Sequence, residues 1–213
     1  MKLINDDCLK AMAEMEDGCV DLTVTSPPYD NLRTYKDSLE WGEHVWKPVL
    51  EQLYRITKDG GVVVWVVGDA TVKGSETGTS FKQALYAMEC GFNLYDTMIY
   101  QKAGTGATGN NRAYLGCFEY MFVFSKGRPE SVNLLYDRKN EHWDKTGKYC
   151  TKPARRDANG VPSDRKRKPG KEFGRRYNIW RYSGADVRWE KTRGGFDHPA
   201  MFPEQLAAER AYT

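Results

Sequence analysis

A six-residue apolar run at Val62–Val67 (VVVWVV) restricts the possible folds more than any other segment. Polar residues and glycines enclose it, with Lys58–Gly61 before it and Gly68 and Asp69 after it. The run is too short to cross a bilayer. Its length and its valines are typical of a strand that is covered on both faces. The run therefore predicts a layered α/β fold.

Strand-like and helix-like patterns alternate through the N-terminal half of the chain. Apolar residues at helical spacing predict helices within Leu9–Met15, Trp46–Ile56 and Phe81–Gly91, which end at Gly18, at Lys58–Gly61 and at Gly91. Further strands are predicted at Lys2–Asn5, Val20–Val24, Asn93–Gln101 and Phe118–Ser125. This repeated alternation predicts a doubly wound α/β sheet.

Positive charge is concentrated in one part of the chain. The 213 residues carry a net charge of only +3, yet Lys145–Arg193 contains sixteen Lys and Arg against five Asp and Glu. One interpretation is a solvated or disordered segment, the usual outcome for a run of charges. Such segments are normally poor in aromatic residues, but this one contains Tyr149, Phe173, Tyr177, Trp180, Tyr182 and Trp189. A surface that binds a polyanion is therefore the favoured interpretation.

The five cysteines are odd in number and scattered. They form no CxxC pair and have no histidine at ligand spacing, so neither a disulfide framework nor a metal site is predicted. Scattered, reduced thiols are typical of a cytoplasmic protein. No apolar run is long enough to span a membrane, and the N-terminus has no signal-peptide pattern. We expect a soluble, cytoplasmic protein.

The segment Val24–Asp30 (VTSPPYD) places a rigid turn at the end of a predicted strand. Pro27 and Pro28 cannot continue the hydrogen bonds of a sheet. Ser26 and Tyr29 then present a hydroxyl, carbonyl oxygens and an aromatic ring at the strand's carboxyl end, where ligands of open α/β sheets bind. An ordinary proline turn is the alternative, and the segment alone does not decide between the two.

Ser26–Tyr29 (SPPY) is one of several motifs that follow one another along the chain. The others, in chain order, are Asp6–Cys8, Lys58–Gly61 (KDGG), Met98–Lys102 (MIYQK), Glu119–Gly127, Asn178–Trp180 (NIW) and His198–Leu206 (HPAMFPEQL). Together they resemble the amino-group DNA methyltransferases of the permuted β class, which use S-adenosylmethionine. One departure is Tyr100-Gln101, where that family more commonly has Trp-Asn.

The resemblance implies a Rossmann-like methyltransferase fold, in which the sheet is doubly wound and mostly parallel, with a basic DNA-recognition insert. It implies a catalytic α/β lobe at residues 1–127, a basic target-recognition region at 128–195 and the start of a cofactor-binding segment at 196–213. The partners it implies are double-stranded DNA and S-adenosylmethionine. The implied activity is site-specific DNA methylation.

The resemblance also implies roles for single residues. Ser26, Pro27, Pro28 and Tyr29 form the catalytic motif: the serine hydroxyl and a proline carbonyl accept hydrogen bonds from a base amine, and the tyrosine stacks on the flipped base. Cofactor binding is assigned to Asp7, Cys8, His198, Pro199 and Phe202. DNA binding is assigned to Arg33, Lys102, Arg165, Lys166, Arg167, Lys168, Arg175 and Arg176.

Some of these residues have a second interpretation. Asp7 is also a suitable N-cap for the helix that follows it. His198 is interpreted as a cofactor-side or packing residue and not as a general base, because the proton released by methyl transfer can go to water. Tyr100 is a further candidate face for the flipped base, or a packing residue.

Two questions about function stay open. Serine at the first motif position favours cytosine N4 as the target, with adenine N6 as the alternative. In the family, the HPAMFP segment is followed by a strand and a glycine-rich loop around the cofactor, and these 213 residues contain neither. We therefore expect a further C-terminal segment or a second chain to complete the cofactor site. The alternative function is a catalytically silent DNA-binding remnant or half of a split enzyme.

Overall fold

The computed structural model describes residues 2–30, 41–103, 114–141, 143, 159–160, 171–183 and 206. In chain order its elements are α1 (Cys8–Ala13), β1 (Val20–Thr25), α2 (Glu43–Ile56), β2 (Thr57–Val67), β3 (Thr71–Val72), β4 (Ser75–Glu76), α3 (Thr79–Glu89), β5 (Asn93–Ala103), β6 (Phe118–Ser125), β7 (Arg138–Lys139), β8 (Phe173–Gly174) and β9 (Ile179–Ser183). All three helices predicted from apolar spacing are confirmed, as are four of the five predicted strands.

Five of the described strands form one sheet, in the order β1-β2-β6-β5-β9. β1 is parallel to β2 and β5 is parallel to β9, whereas β6 is antiparallel to both of its neighbours. Four of these five described strands therefore run in one direction, which confirms the mostly parallel sheet. We call the edge where those four strands end, and where β6 begins, the carboxyl edge.

Both faces of this sheet are buried at its centre. On one face, Val63 and Phe124 pack with apolar residues of α1, α2 and α3. On the other face, Val66 and Val123 are equally buried. Each side chain of this size contributes about 1.5–3 kcal/mol when it leaves water. The prediction that Val62–Val67 is covered on both faces is confirmed.

The prediction that Lys58–Gly61 ends α2 is wrong, because α2 ends at Ile56 and these four residues lie within β2. They form a bulge: Val20 of β1 pairs with Thr57 and Leu22 pairs with Val62, so two residues of β1 lie opposite five residues of β2. A Cβ atom on Gly61 would lie 2.9 Å from the Lys58 carbonyl oxygen, and Gly60 has a φ of +82°. Both positions consequently require glycine.

The strand predicted at Lys2–Asn5 is also wrong. Leu3 is 82% exposed, and residues 2–5 have no strand assignment. A strand requires a neighbour to bond its backbone groups, and a short apolar pattern does not show whether one is present. By contrast, the predicted end of α3 is confirmed: Gly91 has a φ of +114°, and the Tyr54 ring lies where its Cβ atom would be.

The chain divides into two compact units, one made of residues 1–133 and 178–213 and the other of residues 134–177. In the second unit, β7 pairs with β8. The guanidinium of Arg176 there donates through Nε to Oδ2 of Asp137 at 2.9 Å. Residues 179–183, which lie inside the predicted recognition region, form β9 of the five-stranded sheet. Among the described residues, no helix has the length and apolar composition needed to cross a membrane.

Candidate functional site

The turn that follows β1 leaves the sheet at the carboxyl edge. Thr25, the last residue of β1, pairs with Trp65 in β2. Ser26 is exposed, whereas Pro27 is buried. The two prolines restrict the backbone of the turn, so the serine hydroxyl is held at the surface next to a buried anchor.

The Tyr29 hydroxyl joins this turn to the first residues of β6. It lies 2.9 Å from the Ser26 hydroxyl and donates to Oε2 of Glu119 at 2.6 Å. The other oxygen of that carboxylate, Oε1, forms an ion pair with the Lys102 ammonium near the end of β5. The Glu119 side chain is only 12% exposed, so its carboxylate is largely shielded from water. Four side chains from three elements are thus connected at the carboxyl edge.

The sheet register explains how these residues meet. Glu119 pairs directly with Tyr100 across β6 and β5. Gly68 follows the last residue of β2, and a Cβ atom there would lie 3.3 Å from Cδ2 of Tyr29 and 3.7 Å from Cγ of Glu119. A larger residue at this position would press on both side chains. Glycine therefore allows the tyrosine ring to cross β2 and reach the glutamate.

The environment of Tyr29 keeps its hydroxyl protonated. Burial, followed by the nearby charge of Glu119 and the hydrogen bond to it, raises the pKa of Tyr29 far above the usual value for tyrosine. The hydroxyl is consequently a stable donor throughout the physiological range. The tyrosine does not act as a base in this arrangement.

Asp30 anchors the far end of the turn. Its backbone has a φ of +45°, a conformation that aspartate adopts more readily than most residues. Its Oδ2 accepts hydrogen bonds from the Thr77 hydroxyl at 2.7 Å and from the Ala70 backbone N–H at 3.3 Å. Next to it, Asp69 accepts from the Ser80 backbone N–H at the start of α3, at 2.8 Å. The turn is therefore held by the segment after β2 as well as by β6.

Aromatic side chains surround the carboxyl ends of β5 and β9. Tyr100, Trp180 and Tyr182 are all at least 92% buried, and the rings of Tyr100 and Tyr182 lie 6.0 Å apart. The role of Tyr100 as a face for a base stays a prediction.

Asp7 and Cys8 lie at the start of α1. Asp7 is the N-cap, and its Oδ1 accepts from the backbone N–H groups of Leu9 at 2.9 Å and Lys10 at 3.2 Å. The N-cap interpretation is confirmed. Burial, followed by the charge of Asp7, raises the pKa of the Cys8 thiol, so the neutral thiol is favoured. Cofactor contact by these two residues stays a prediction.

The predicted DNA-binding residues are found in different environments. Lys102 is paired with Glu119 and Arg176 with Asp137, whereas Arg175 is exposed and uses its carbonyl oxygen to accept from Nε of Arg138 at 3.0 Å. The other predicted site residues lie outside the described residues; they are Arg33, Arg165, Lys166, Arg167, Lys168, His198, Pro199 and Phe202. Within the described part of the chain, no group of His, Cys, Asp and Glu is arranged to hold a metal ion.

Comparison with known proteins identifies the family. A protein-family model for N6- and N4-methylases, described as DNA methylase, matches residues 20–210. The chain belongs to the N6/N4 DNA methylase family. The orphan methyltransferase M.BamHII of Bacillus amyloliquefaciens is 51% identical to this DNA methylase over 195 residues, which are 91% of this chain and 71% of M.BamHII. The resemblance inferred from the ordered motifs is confirmed.

Two other similar proteins are more distant. The type II beta methyltransferase M.BslI of Bacillus sp. (strain NEB-606) is 26% identical over 165 residues, which are 67% of this DNA methylase and 18% of M.BslI. The solved structure of the PvuII DNA methyltransferase (cytosine-N4-specific) matches with a TM-score of 0.57 and 18% identity, covering 94% of this chain and 65% of that one. The latter likeness establishes the Rossmann-like α/β fold. The chain spans less than two thirds of both of these proteins.

Sequence reasoning did not single out Glu119, Gly68 or Asp30 as site residues of this DNA methylase. Glu119 is ninety residues from Tyr29, and its position depends on β6 running opposite to the other strands. One signal was available for Gly68 and Asp30, because both follow predicted strands at the edge where ligands bind.

Proposed function

We propose that this DNA methylase transfers the methyl group of S-adenosylmethionine to an exocyclic amine of a base that is flipped out of double-stranded DNA. The observation that carries the proposal is the exposed Ser26 hydroxyl, which is fixed at the carboxyl edge by its contact with Tyr29. Membership of the DNA methylase family supports the reaction class.

The turn supplies the chemistry that an exocyclic amine requires. The lone pair of such an amine is delocalised into the ring, so the nitrogen is a poor nucleophile. Acceptors aimed at its two protons favour the pyramidal nitrogen that develops as it attacks the methyl group. The Ser26 hydroxyl and the Pro27 carbonyl are the proposed acceptors. Because the turn is held at both ends, these acceptors do not have to reorganise during the reaction.

Tyr29 is the proposed stacking partner of the flipped base. Stacking of a base on an aromatic side chain contributes on the order of 1–3 kcal/mol. The hydrogen bond from its hydroxyl to Glu119 fixes the plane of the ring. A base must leave the duplex to reach this ring, and Tyr100 is the second proposed aromatic contact.

S-adenosylmethionine is the proposed methyl donor, and Asp7 is the described residue that fits it best. Oδ1 of Asp7 caps α1, whereas Oδ2 has no hydrogen-bond partner among the described residues. A carboxylate oxygen of this kind suits the donor groups of an adenosine. The cofactor supplies an electrophilic methyl group when bound. Cys8, His198, Pro199 and Phe202 are the other proposed cofactor contacts.

Cytosine N4 is the proposed target, and adenine N6 is the second candidate. The resemblance carries the preference, since serine at the first motif position is more typical of N4-cytosine enzymes. The PvuII methyltransferase is itself described as cytosine-N4-specific. We propose that the basic residues assigned from the sequence bind the DNA phosphates, apart from Lys102 and Arg176, whose charges are paired with Glu119 and Asp137. Arg175 is exposed for such a contact. The cytoplasm, where such a substrate is found, is the proposed location.

Methyl transfer from labelled S-adenosylmethionine to unmethylated bacterial DNA tests the proposal. Ser26→Ala removes one acceptor and is expected to lower the rate about a hundredfold. Asp21→Asn is the matched control: Asp21 pairs with Lys58 on the exposed surface at the opposite end of β1, roughly 16 Å from Ser26 at about 3.3 Å per residue. Equal rates in wild type and Ser26→Ala would contradict the assignment of the turn.

Calorimetric titration of the 213-residue chain with S-adenosylmethionine tests the second candidate function separately. Binding with a micromolar dissociation constant shows that these residues suffice for the cofactor. If the chain binds DNA but not the cofactor, the silent DNA-binding form is favoured, and addition of a second chain or of a longer C-terminus then tests what completes the site.

A further inference from the structure

A chain of polar contacts runs from Lys102 to the exposed surface of the catalytic turn. The Lys102 ammonium contacts Oε1 of Glu119, and Oε2 of Glu119 accepts from the Tyr29 hydroxyl at 2.6 Å. The Tyr29 oxygen lies 2.9 Å from the Ser26 oxygen. Distances alone do not show which of the last two hydroxyls is the donor.

The charges of Lys102 and Glu119 determine which group donates in each of these hydrogen bonds. An ammonium can only donate and a carboxylate can only accept. Glu119 therefore takes the single hydroxyl proton of Tyr29. The tyrosine has no second proton to give, so its contact with Ser26 requires the serine to donate. The Ser26 proton points inward, and the outward side of its oxygen carries lone pairs only.

We propose that Glu119, backed by Lys102, is a positioning residue that makes Ser26 an obligate acceptor and thereby selects a base with an amine at the position of cytosine N4 or adenine N6, where thymine and guanine carry a carbonyl oxygen. Amine protons find a lone pair at Ser26, whereas the exocyclic carbonyl oxygen of thymine or guanine meets another acceptor. Two acceptors that face each other form no hydrogen bond, and each loses the water that it bound before the base entered, so the arrangement disfavours those bases. The selection of the base rests on the proposed function. The direction of the hydrogen bonds follows from the contacts alone.

The alternative is a purely structural role, in which Glu119 holds β5 and β6 together through Lys102. The isosteric variant Glu119→Gln separates the two. If the role is only packing, a glutamine of the same shape is tolerated. In the proposed arrangement, Lys102 attracts the amide oxygen of the glutamine and turns its NH₂ group toward Tyr29. Tyr29 then accepts from that group and donates to Ser26, which reverses the chain and aims the serine proton at the base.

Steady-state methyl transfer with saturating S-adenosylmethionine measures this reversal. Glu119→Gln is expected to lower kcat at least tenfold, with less than a threefold change in the cofactor dissociation constant and an unchanged midpoint of thermal unfolding. Adding Lys102→Met frees the glutamine oxygen to accept from Tyr29 and is expected to restore part of kcat. Asp21→Asn is again the control. A kcat of Glu119→Gln within twofold of wild type, or no restoration in the double variant, would overturn the proposal.

Infrared difference spectroscopy of wild type minus Glu119→Gln reads the proton arrangement without any catalysis. At neutral pH the variant is expected to lack one carboxylate band that wild type has. No protonated-acid band is expected to differ between the two proteins. Loss of a protonated-acid band in the variant would overturn the proposal. Glu119 would then donate to Tyr29, and the hydrogen bonds would point in the opposite direction. A carboxylate band in a protein that transfers no methyl group would leave the proton arrangement standing and reject the proposed function instead.

Discussion

The Tyr29 hydroxyl lies 2.6 Å from Oε2 of Glu119, a residue ninety positions later in the chain. This contact connects the turn after β1 with the first residues of β6, the one strand of the five-stranded described sheet that runs opposite to the others. Because β6 begins where β1 ends, its first residues lie beside the turn. The antiparallel strand therefore supplies the carboxylate that orients the turn.

Gly68→Ala is expected to lower the rate of methyl transfer about tenfold. A Cβ atom at this position would lie 3.3 Å from the Tyr29 ring, so the ring must move by a few tenths of an ångström, and small misplacements of a site residue cost large factors in rate. The free energy of unfolding is expected to change by less than about 1 kcal/mol. Gly116→Ala is the control, since a Cβ atom there meets nothing within 4 Å. Identical kinetics in the two variants would show that the ring does not need its present position.

Alkaline titration is expected to show that Tyr29 does not ionise with the other tyrosines. Burial and Glu119 raise its pKa, so the folded protein keeps this proton near pH 10, where an ordinary tyrosine loses it. Ultraviolet absorbance of tyrosinate should therefore report the same number of ionising groups near pH 10 in wild type and in Tyr29→Phe. One group fewer in the variant would mean that Tyr29 has an ordinary pKa.

The same shift predicts how stability depends on pH. Because the folded pKa of Tyr29 is raised above the unfolded value, its stabilising contribution is fully present below about pH 10 and decreases as the pH rises further. The free energy of unfolding of wild type should fall more steeply above that pH than that of Tyr29→Phe. Parallel curves in denaturant titrations at several pH values would argue against the shift.

Gly61→Ala is expected to lower the free energy of unfolding by about 2–3 kcal/mol. The added Cβ atom would lie 2.9 Å from the Lys58 carbonyl oxygen and 3.0 Å from that of Asp21, and neither backbone atom can move without disrupting the pairing of β1 and β2. Denaturant titration with Gly116→Ala as the control measures the difference. Equal stability of the two variants would indicate that the bulge relaxes freely.

Apolar patterns predicted most of this fold because buried positions are occupied mainly by apolar residues, which the sequence shows directly. Val62–Val67 and Phe118–Ser125 read as strands since their side chains enter the core. Lys2–Asn5 has a similar pattern without a neighbouring strand, and Lys58–Gly61 has the composition of a helix end but forms a bulge. In both cases the deciding interaction is with another part of the chain, which a local pattern does not contain.

The site was predictable to a similar extent. The rigid turn at Ser26–Tyr29 follows from two prolines after a strand, and the N-cap role of Asp7 follows from its position. The contribution of Glu119 requires the direction of β6 and its register against Tyr100, which are tertiary properties. Lys102 was among the residues assigned to DNA binding, and the structure shows that its ammonium contacts Glu119.

Arg175 and Arg176 are neighbours with different surroundings, and their variants should differ accordingly. Arg175 is exposed, so Arg175→Ala is expected to weaken DNA binding and to reduce the slope of log affinity against log salt by about 1. Arg176 is paired with Asp137, and its hydrogen bond lowers the pKa of that carboxyl. Arg176→Ala is therefore expected to change the salt slope less. Fluorescence anisotropy at several salt concentrations measures both slopes, and an unchanged slope in Arg175→Ala would remove it from the DNA contacts.

Analysis of nucleosides from DNA that the protein has modified tests the central claim most directly. DNA without prior methylation is incubated with the protein and S-adenosylmethionine, digested to nucleosides and examined by mass spectrometry, with Ser26→Ala and Asp21→Asn in parallel. The predicted result is N4-methylcytosine with wild type and Asp21→Asn, and a much smaller amount with Ser26→Ala. Methylation at a ring carbon, or equal amounts of product with wild type and Ser26→Ala, would contradict the account.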